Sequence, residues 1–340
     1  MKENSIYSVR FARLDEYDKL NSFMCKYWGE KHILSRNKQL FDFQHKGEDK
    51  YNIVIGYNNI TDEIDGIWSL IPVCAYDKSL QNEGNYWGAI LKVRDDVDNK
   101  EIRRLPFKLF SFILKIPGFK TIGFSGLGSQ GQPFVNPLCS NYGILNQYYI
   151  ANPDKESIIG KNLIKRDYLP SEYSVKDISI DGLEWQPETY YSPKKSLSFL
   201  INRFKKHPIY KYGFWGVQRS DRLLAIIVYR TIDIKNLGKV VRIVDVLGTF
   251  EEIGSIGYSL TGLLKEHDAE YVDCLNYGID PSVFEQMGFE ILDTASNDVI
   301  VPNYFEPFER RNVQVHFAYI SKSPYIIFRA DADQDRPSTL

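Results

Sequence analysis

Two carboxylates interrupt apolar, strand-like runs. Asp245 sits in VVRIVDVLG (240–248) and Asp273 in EYVDCLNYG (270–278). A carboxylate in such a run must be paired, hydrogen-bonded or functional, because an unpaired charge is costly to remove from water. Their parallel placement on adjacent predicted strands would bring both to one cleft, where either could serve as a general base. A buried structural pair is the competing reading, and Arg242 shares the strand of Asp245. His32, in the loop WGEKHILSR (28–36), is the third candidate base. Its ordinary pKa near ~6.5 suits that role, and a surface histidine is the alternative. Asn276 and Tyr277 in NYG, and Asn303, Tyr304 and Glu306 in PNYFEP (302–307), combine amide, phenol and carboxylate groups. Such groups read hydroxyl-rich ligands and are equally at home in turns. The tail DADQDRP (331–337) carries Asp331, Asp333, Asp335 and Arg336. Its D-x-D spacing lacks the glycine and closing glutamate of a calcium loop, so no metal is expected. The expectation is a salt-bridged tail folded back on the cleft, or else a disordered end.

These residues are carried by two stretches that read in the same order. The first runs YNIVIGY (51–57), GIWSLIPVCAY (66–76), YWGAILKVR (86–94), a helix-like LPFKLFSFILK (105–115), KTIGFSG (120–126) and FVNPLCSNYG (134–143). The second runs YGFWGVQ (212–218), RLLAIIVYR (222–230), KVVRIVDVLG (239–248), a helix-like GYSLTGLLKEH (257–267), AEYVDCLNYG (269–278) and PSVFEQMGF (281–289). Each predicts three strands, a helix, a strand and a short helix. Ahead of the first stretch, residues 1–50 read as helical: apolar residues recur at three- and four-residue steps from Leu14 to Tyr27, and NKQLFDFQHK (37–46) reads as a second, short helix. Polar, proline-containing residues 151–190 read as a connection with one edge strand at 173–179, and 193–208 as an amphipathic helix. The predicted layout is a first domain over 1–155, a linking segment over 156–190 and a second domain over 191–340.

A chain of 340 residues accommodates about two domains. Its net charge of −2 predicts no binding to nucleic acid or to a membrane surface. No apolar run approaches the ~18 residues of a membrane span, and MKENSIYSVRF has no apolar region of the kind that directs export. The four cysteines, Cys25, Cys74, Cys139 and Cys274, are scattered without metal-ligand spacing and read as small hydrophobes in a reduced compartment. The expected location is the cytoplasm. Aromatic residues make up 14% of the chain, with 23 tyrosines, which suits either a tyrosine-rich core or a cleft for polar ligands.

The repeated order resembles the GNAT acyltransferase fold, most clearly in KTIGFSGLGSQGQPFVNPLCSNYGIL (120–145) and EYVDCLNYGIDPSVFEQMGFEIL (270–292). The implied fold class is α/β (α+β): two tandem GNAT-like domains, each a mixed, mostly antiparallel sheet flanked by helices. The fold's helix ending at a glycine beside an aromatic is matched by Tyr142-Gly143 and Gly288-Phe289. More narrowly, HILSRNKQLFDFQHK (32–46), WGAILKVRDDV (87–97), IVPNYFEPFERRNV (300–313) and RADADQDRP (329–337) resemble tandem GNAT proteins of bacterial surface-polysaccharide (O-antigen or capsule) biosynthesis.

That resemblance implies acyl transfer from acyl-coenzyme A to the amine of an amino sugar, with acyl-CoA and a nucleotide-linked amino sugar as the small-molecule partners. It places acyl-CoA, the only co-substrate implied, in the gap between a splayed strand pair. A strand amide from Lys92, Val93 or Arg94 would face the thioester carbonyl. The pyrophosphate would lie at a helix N-terminus. In the first unit that loop, RDDVDNKEIRRLP (94–106), has no glycine, and Arg94, Lys100, Arg103 and Arg104 are the implied phosphate ligands, opposed by Asp95, Asp96 and Asp98. In the second, GTFEEIGSIGY (248–258) has Gly254 and Gly257 out of the usual register beside Glu251 and Glu252. His32, Asp245 and Asp273 are the implied proton acceptors, and Asn276, Tyr277, Asn303, Tyr304, Glu306, Asp333, Asp335 and Arg336 the implied sugar ligands. Two other readings stand beside this one. A FemABX-like aminoacyltransferase would need a basic surface for transfer RNA, which the net charge disfavours. A non-catalytic glycan-binding protein would keep the fold and lose the donor site.

Overall fold

The computed structural model describes residues 6–336. The first unit begins not with a helix but with a strand, β1 (Tyr7–Arg13), held by antiparallel pairing with residues 50–58; then come α1 (Tyr17–Phe23), continued as a π-helical turn over Met24–Gly29, α2 (Ile33–Arg36) and α3 (Lys38–His45). A meander follows: β2 (Lys50–Asn58), β3 (Glu63–Pro72) and β4 (Asn85–Val93). Then come α4 (Lys100–Ile113), β5 (Thr121–Ser125), α5 (Gln132–Val135) and β6 (Asn141–Ile144). α4 starts five residues before the predicted boundary, because Asn99 caps it by accepting the Ile102 amide. Its buried stripe of Ile102, Leu105, Leu109 and Ile113 lies on the sheet. Gly56 and Gly66 let Leu105 approach: a Cβ at either would lie within 3 Å of its side chain.

After β6 the chain crosses to a second sheet as β7 (Asn146–Ala151), then forms the edge strand β8 (Tyr173–Asp177) and α6 (Leu197–Leu200), with a π-helical turn over Ile201–Lys205. The second meander is β9 (Gly213–Arg219), β10 (Arg222–Ile234) and β11 (Gly238–Gly248), followed by α7 (Gly257–Glu266), β12 (Ala269–Tyr277), α8 (Pro281–Met287) and β13 (Glu290–Leu292). A small hairpin, β14 (Tyr304–Phe305) and β15 (Phe308–Glu309), precedes β16 (His316–Ile320) and β17 (Ile327–Phe328). α8 ends as expected at Gly288, which adopts the left-handed conformation (φ 102°) that favours glycine. Tyr142-Gly143 is not a helix end: both residues lie in β6, because α5 stops at Val135 and a short turn follows.

The first sheet has seven strands in the order β1-β2-β3-β4-β5-β16-β6, and the second has the order β13-β7-β12-β11-β10-β9-β8. Two strands are therefore exchanged. β7 leaves the first unit to sit beside β12, and β16 returns from the far end of the chain to sit beside β5. The sheets face one another across a shared apolar core that includes Ile71, Trp87, Phe199, Phe214, Ile226, Val228, Leu275, Phe317 and Tyr325.

Each unit contains one parallel pair that parts midway. β4 and β5 pair from Asn85–Thr121 to Gly88–Phe124, and β11 and β12 from Lys239–Ala269 to Ile243–Cys274. A bulge follows at once on the third strand of each meander. In β4 the register against β3 shifts at Ala89–Ile90, and in β11 the register against β10 shifts at Val244.

Candidate active site at the junction of the two units

The C-terminal segment determines what each gap holds. β17 pairs with the end of β12, Asn276 opposite Phe328 and Tyr277 opposite Ile327. The Asn276 side chain donates to the Ile327 carbonyl (3.1 Å), and the Ala330 amide donates to the Val244 carbonyl (2.9 Å) at the β11 bulge. The tail thus fills the gap between β11 and β12. It continues as a 3-10 turn over Asp331–Asp333, packed where β4 and β5 part, and reaches α2 at Arg336.

A band of buried ion pairs accompanies this path. The Lys195 ammonium, at the foot of α6, donates to both Asp245 oxygens (2.7 and 2.9 Å) and meets Asp331 at 2.9 Å. Burial raises the Asp245 pKa, Lys195 lowers it and the Asp331 charge raises it again; the net direction is up. Arg203 and Arg336 both hold Asp333, at 3.2 and 3.0 Å. Arg230 holds Asp335 at 3.0 Å, and the Tyr212 hydroxyl donates to it at 2.9 Å. Arg242 grips Asp273 through two nitrogens (3.0 and 2.7 Å), and Gln147 donates to the same carboxylate. Between the units lies a void of about 10 Å³, the size of one water, lined by Tyr76, Trp87, Arg203, Asp245, Asp331 and Asp333 among others.

The candidate residues fall into three groups. Asp245, Asp333, Asp335, Arg336 and His32 converge on the tail. His32 caps α2: its Nδ1 accepts the Leu34 amide, and its Nε2 lies 3.4 Å from Arg336. Burial and the Arg336 charge lower its pKa to about 4, so the ring is neutral with its lone pair already engaged. Asp273 is fully buried, and both its oxygens are occupied by Arg242 and Gln147. Asn303 lies beside that pair, its carbonyl accepting from Arg242 (3.0 Å). Asn276 is part of the tail's docking surface. The hydroxyls of Tyr277 and Tyr319 lie 3.2 Å apart. Tyr304 is exposed, and Glu306 accepts from the Tyr210 hydroxyl (3.0 Å). The third group, near α4, is remote from the tail. Lys92 pairs with Asp95 and Arg94 with Asp65 and Asp96, while Arg103 pairs with Asp98 at 2.7 Å and Arg104 lies 3.9 Å from Glu101. Lys92 and Val93 lie opposite Ile67 and Gly66 of β3, and the Arg94 amide donates to the Asp65 carbonyl. The bulge that follows the parting of β4 and β5 lies nearer the gap, at Ala89–Ile90. There the Ile90 amide donates to the Ser69 hydroxyl (2.8 Å).

No protein-family model matches the sequence, and no curated protein matches it. Solved structures do resemble its fold. A GCN5-related N-acetyltransferase from Anabaena variabilis superposes with a TM-score of 0.53 at 9% identity, covering 92% of this chain and 72% of its own. A conserved protein of unknown function from Enterococcus faecalis, described as a probable N-acyltransferase, gives 0.51 at 9% identity, covering 96% and 73%. The chain has the GCN5-related N-acetyltransferase fold.

The two units differ at the start of the helix that follows the third strand of each meander. The start of α4 is open: Asp95, Asp96, Asp98, Asn99 and Lys100 are exposed. The start of α7 is covered by the connecting segment. The Tyr168 ring stands 2.3 Å from where a Gly257 Cβ would be, and the Tyr173 ring 2.3 Å from that of Gly254. Tyr168 and Ser171 fasten this cover by donating to the carbonyls of Gly288 (2.5 Å) and Ser255 (2.6 Å). The glycines of the second loop thus admit tyrosine rings.

Sequence reasoning passed over Lys195, Arg203, Arg230, His45 and His207. Arg203 and Lys195 belong to a segment that reads as an amphipathic surface helix, yet both are buried. The signal for Arg203 is its place beside Phe204, with which it is buried.

Proposed function

We propose that the chain is an N-acyltransferase that uses acyl-coenzyme A, with the donor held by the first unit and the acceptor amine received at the junction of the units. The observation that carries this reading is the contrast between the gaps. The β4/β5 gap has a bulge at its mouth and an uncovered helix N-terminus beside it, while the β11/β12 gap is filled by β17 and its helix is covered. The 3-10 turn over Asp331–Asp333 packs on β4 and β5, so a donor entering the first unit has to move that turn.

The amides at the start of α4 would take the pyrophosphate, with Arg103 and Arg104 as charged partners. Their present ion pairs are exposed and screened by solvent, so a phosphate can displace them. Pantetheine would run along β4, bringing the thioester to the bulge at Ala89–Ile90. The amine nitrogen attacks the thioester carbonyl carbon, the carbon–sulfur bond breaks, and the coenzyme A thiolate leaves and takes up a proton. The amine must first lose a proton. Asp245, whose raised pKa brings it towards the working range of a base, is the assigned acceptor. For the substrate we favour a nucleotide-linked amino sugar used in surface-polysaccharide synthesis. The sequence resemblance and the tyrosine, asparagine and carboxylate groups at Tyr277, Tyr304, Asn303 and Glu306 support that choice.

The pairing of Arg94 and Arg103 with aspartates supports a second reading, a glycan-binding protein without donor chemistry. A titration with acetyl-CoA separates the two. The acyltransferase reading expects a rise in melting temperature and release of coenzyme A thiol when amines are added; absence of any shift with a panel of acyl-CoAs would overturn it.

A further inference from the structure

One buried cation is left out of the ion-pair band. Arg329 follows β17 and is only 9% exposed, yet it makes no hydrogen bond or ion pair with any described residue. Its Nε is sealed from solvent without a partner. The other arginines of the band are answered: Arg203 and Arg336 by Asp333, Arg230 by Asp335, Arg242 by Asp273. The charges acting on Arg329 are Arg242, which opposes it, and Asp335, Asp273 and Tyr304, which favour it without touching it. Asp335 and Asp273 are already held by their own arginines. Burial and Arg242 lower the Arg329 pKa to about 10, whereas those of Arg203, Arg230 and Arg242 are raised. A buried cation without a partner is costly to a fold.

The loop over 302–307, whose Tyr304 is close enough to act on the Arg329 charge, holds a second set of unmet groups. Asn303 is 2% exposed, and neither its Nδ2 nor its Oδ1 has a partner among the described residues. Tyr304 beside it is the exposed end of the cluster, with the Arg311 guanidinium 5.7 Å from its ring centre. A guanidinium fork with free N–H groups matches a carboxylate or phosphate through two parallel hydrogen bonds.

We propose that Arg329 anchors an oxyanion-binding subsite, completed by Asn303 and Tyr304, that takes a carboxylate or phosphate group of the acceptor molecule. Only the naming of the acceptor as its owner rests on the acyltransferase reading; the subsite itself rests on Arg329.

The test is thermal unfolding of the full chain in sodium phosphate, sodium acetate and sodium chloride at matched ionic strength, for the wild type, Arg329→Met and Arg329→Lys. Removing an unpaired buried charge should raise the melting temperature of the free Met variant by about 2–4 °C. Phosphate or acetate should stabilise the wild type beyond chloride, do so less in the Lys variant and not at all in the Met variant; the anion with the larger shift names the group. With acyl-CoA present, the KM for an anionic amine should rise at least tenfold in the Met variant while that for a neutral amine stays unchanged. A Met variant that melts lower or fails to fold makes Arg329 a part of the fold and overturns the subsite. So does an anion shift equal in wild type and Met variant, or none in the wild type. An anion shift without turnover of any amine overturns the acyltransferase reading and leaves the subsite standing.

Discussion

The two units share one strand–helix–strand body and treat its helix start in opposite ways. In the first, α4 opens on an exposed loop of aspartates, lysine and arginines. In the second, α7 opens on glycines, and Tyr168 and Tyr173 occupy the space those glycines leave. By sequence the second loop is nearer to a phosphate cradle. In the folded chain that space is already filled, while the glycine-free loop is exposed. Glycine marks a close approach without naming what approaches.

Of the changes that probe this contrast, the largest effect should come from breaking the buried pair of Asp273 and Arg242 in the second unit. Asp273→Asn leaves Arg242 in the interior with a neutral partner and should cost about 3–5 kcal/mol in chemical denaturation. Molecules still folded should bind acetyl-CoA as the wild type does. A variant of near wild-type stability with lost turnover would instead put Asp273 in the chemistry.

Acid should act through the junction. His45 is fully buried, its Nδ1 facing the Leu70 carbonyl and its Nε2 without a partner. Burial lowers its pKa to about 4, and that of His207 to about 3, as it lowers that of His32 to about 4. The unfolded chain, with histidine near ~6.5, binds the more protons between those values, so stability is full above pH 7 and falls from 6.5 to 4. His45 alone accounts for about 3 kcal/mol at the low end. Asp245 works the other way: its folded pKa is raised, so its contribution is full in acid and is lost as pH rises through neutrality. The three histidines outnumber it. Unfolding free energies measured across pH 4–8 should decline on the acid side, and His45→Gln should flatten the decline.

Gly257→Ala should cost about 1–3 kcal/mol, because the new Cβ meets the Tyr168 ring. Stability unchanged by this substitution would show the cover to be loose. The smallest effect belongs to the first unit's loop. Arg103→Ala with Arg104→Ala should leave the melting temperature nearly unchanged, since both side chains are exposed, and weaken acetyl-CoA binding about tenfold in calorimetry.

Much of this contrast could be read from the chain and some could not. Alternating and continuous apolar runs marked the meander strands to within a few residues, and the helical period marked α4 and α7. The exchange of β7 and β16 was hidden, because strand partners are chosen by packing between residues far apart in sequence, and each run looks like a strand in either sheet. Asp245 was recognisable as an anomaly in an apolar strand. Its partner Lys195 was not, since a lysine near a helix start reads as solvated until the tertiary fold buries it. The acidic tail was legible as salt-bridged, but its insertion beside β12 depends on a gap that only the folded sheet presents.

The central claim is that one gap of the two receives the donor. Hydrogen exchange of the full chain, with and without acetyl-CoA, tests it most directly. The account predicts new protection over residues 88–104 and 121–127, with none over 248–258. Protection over 248–258, accompanied by release of the β17 amides, would place the donor in the second unit and contradict it.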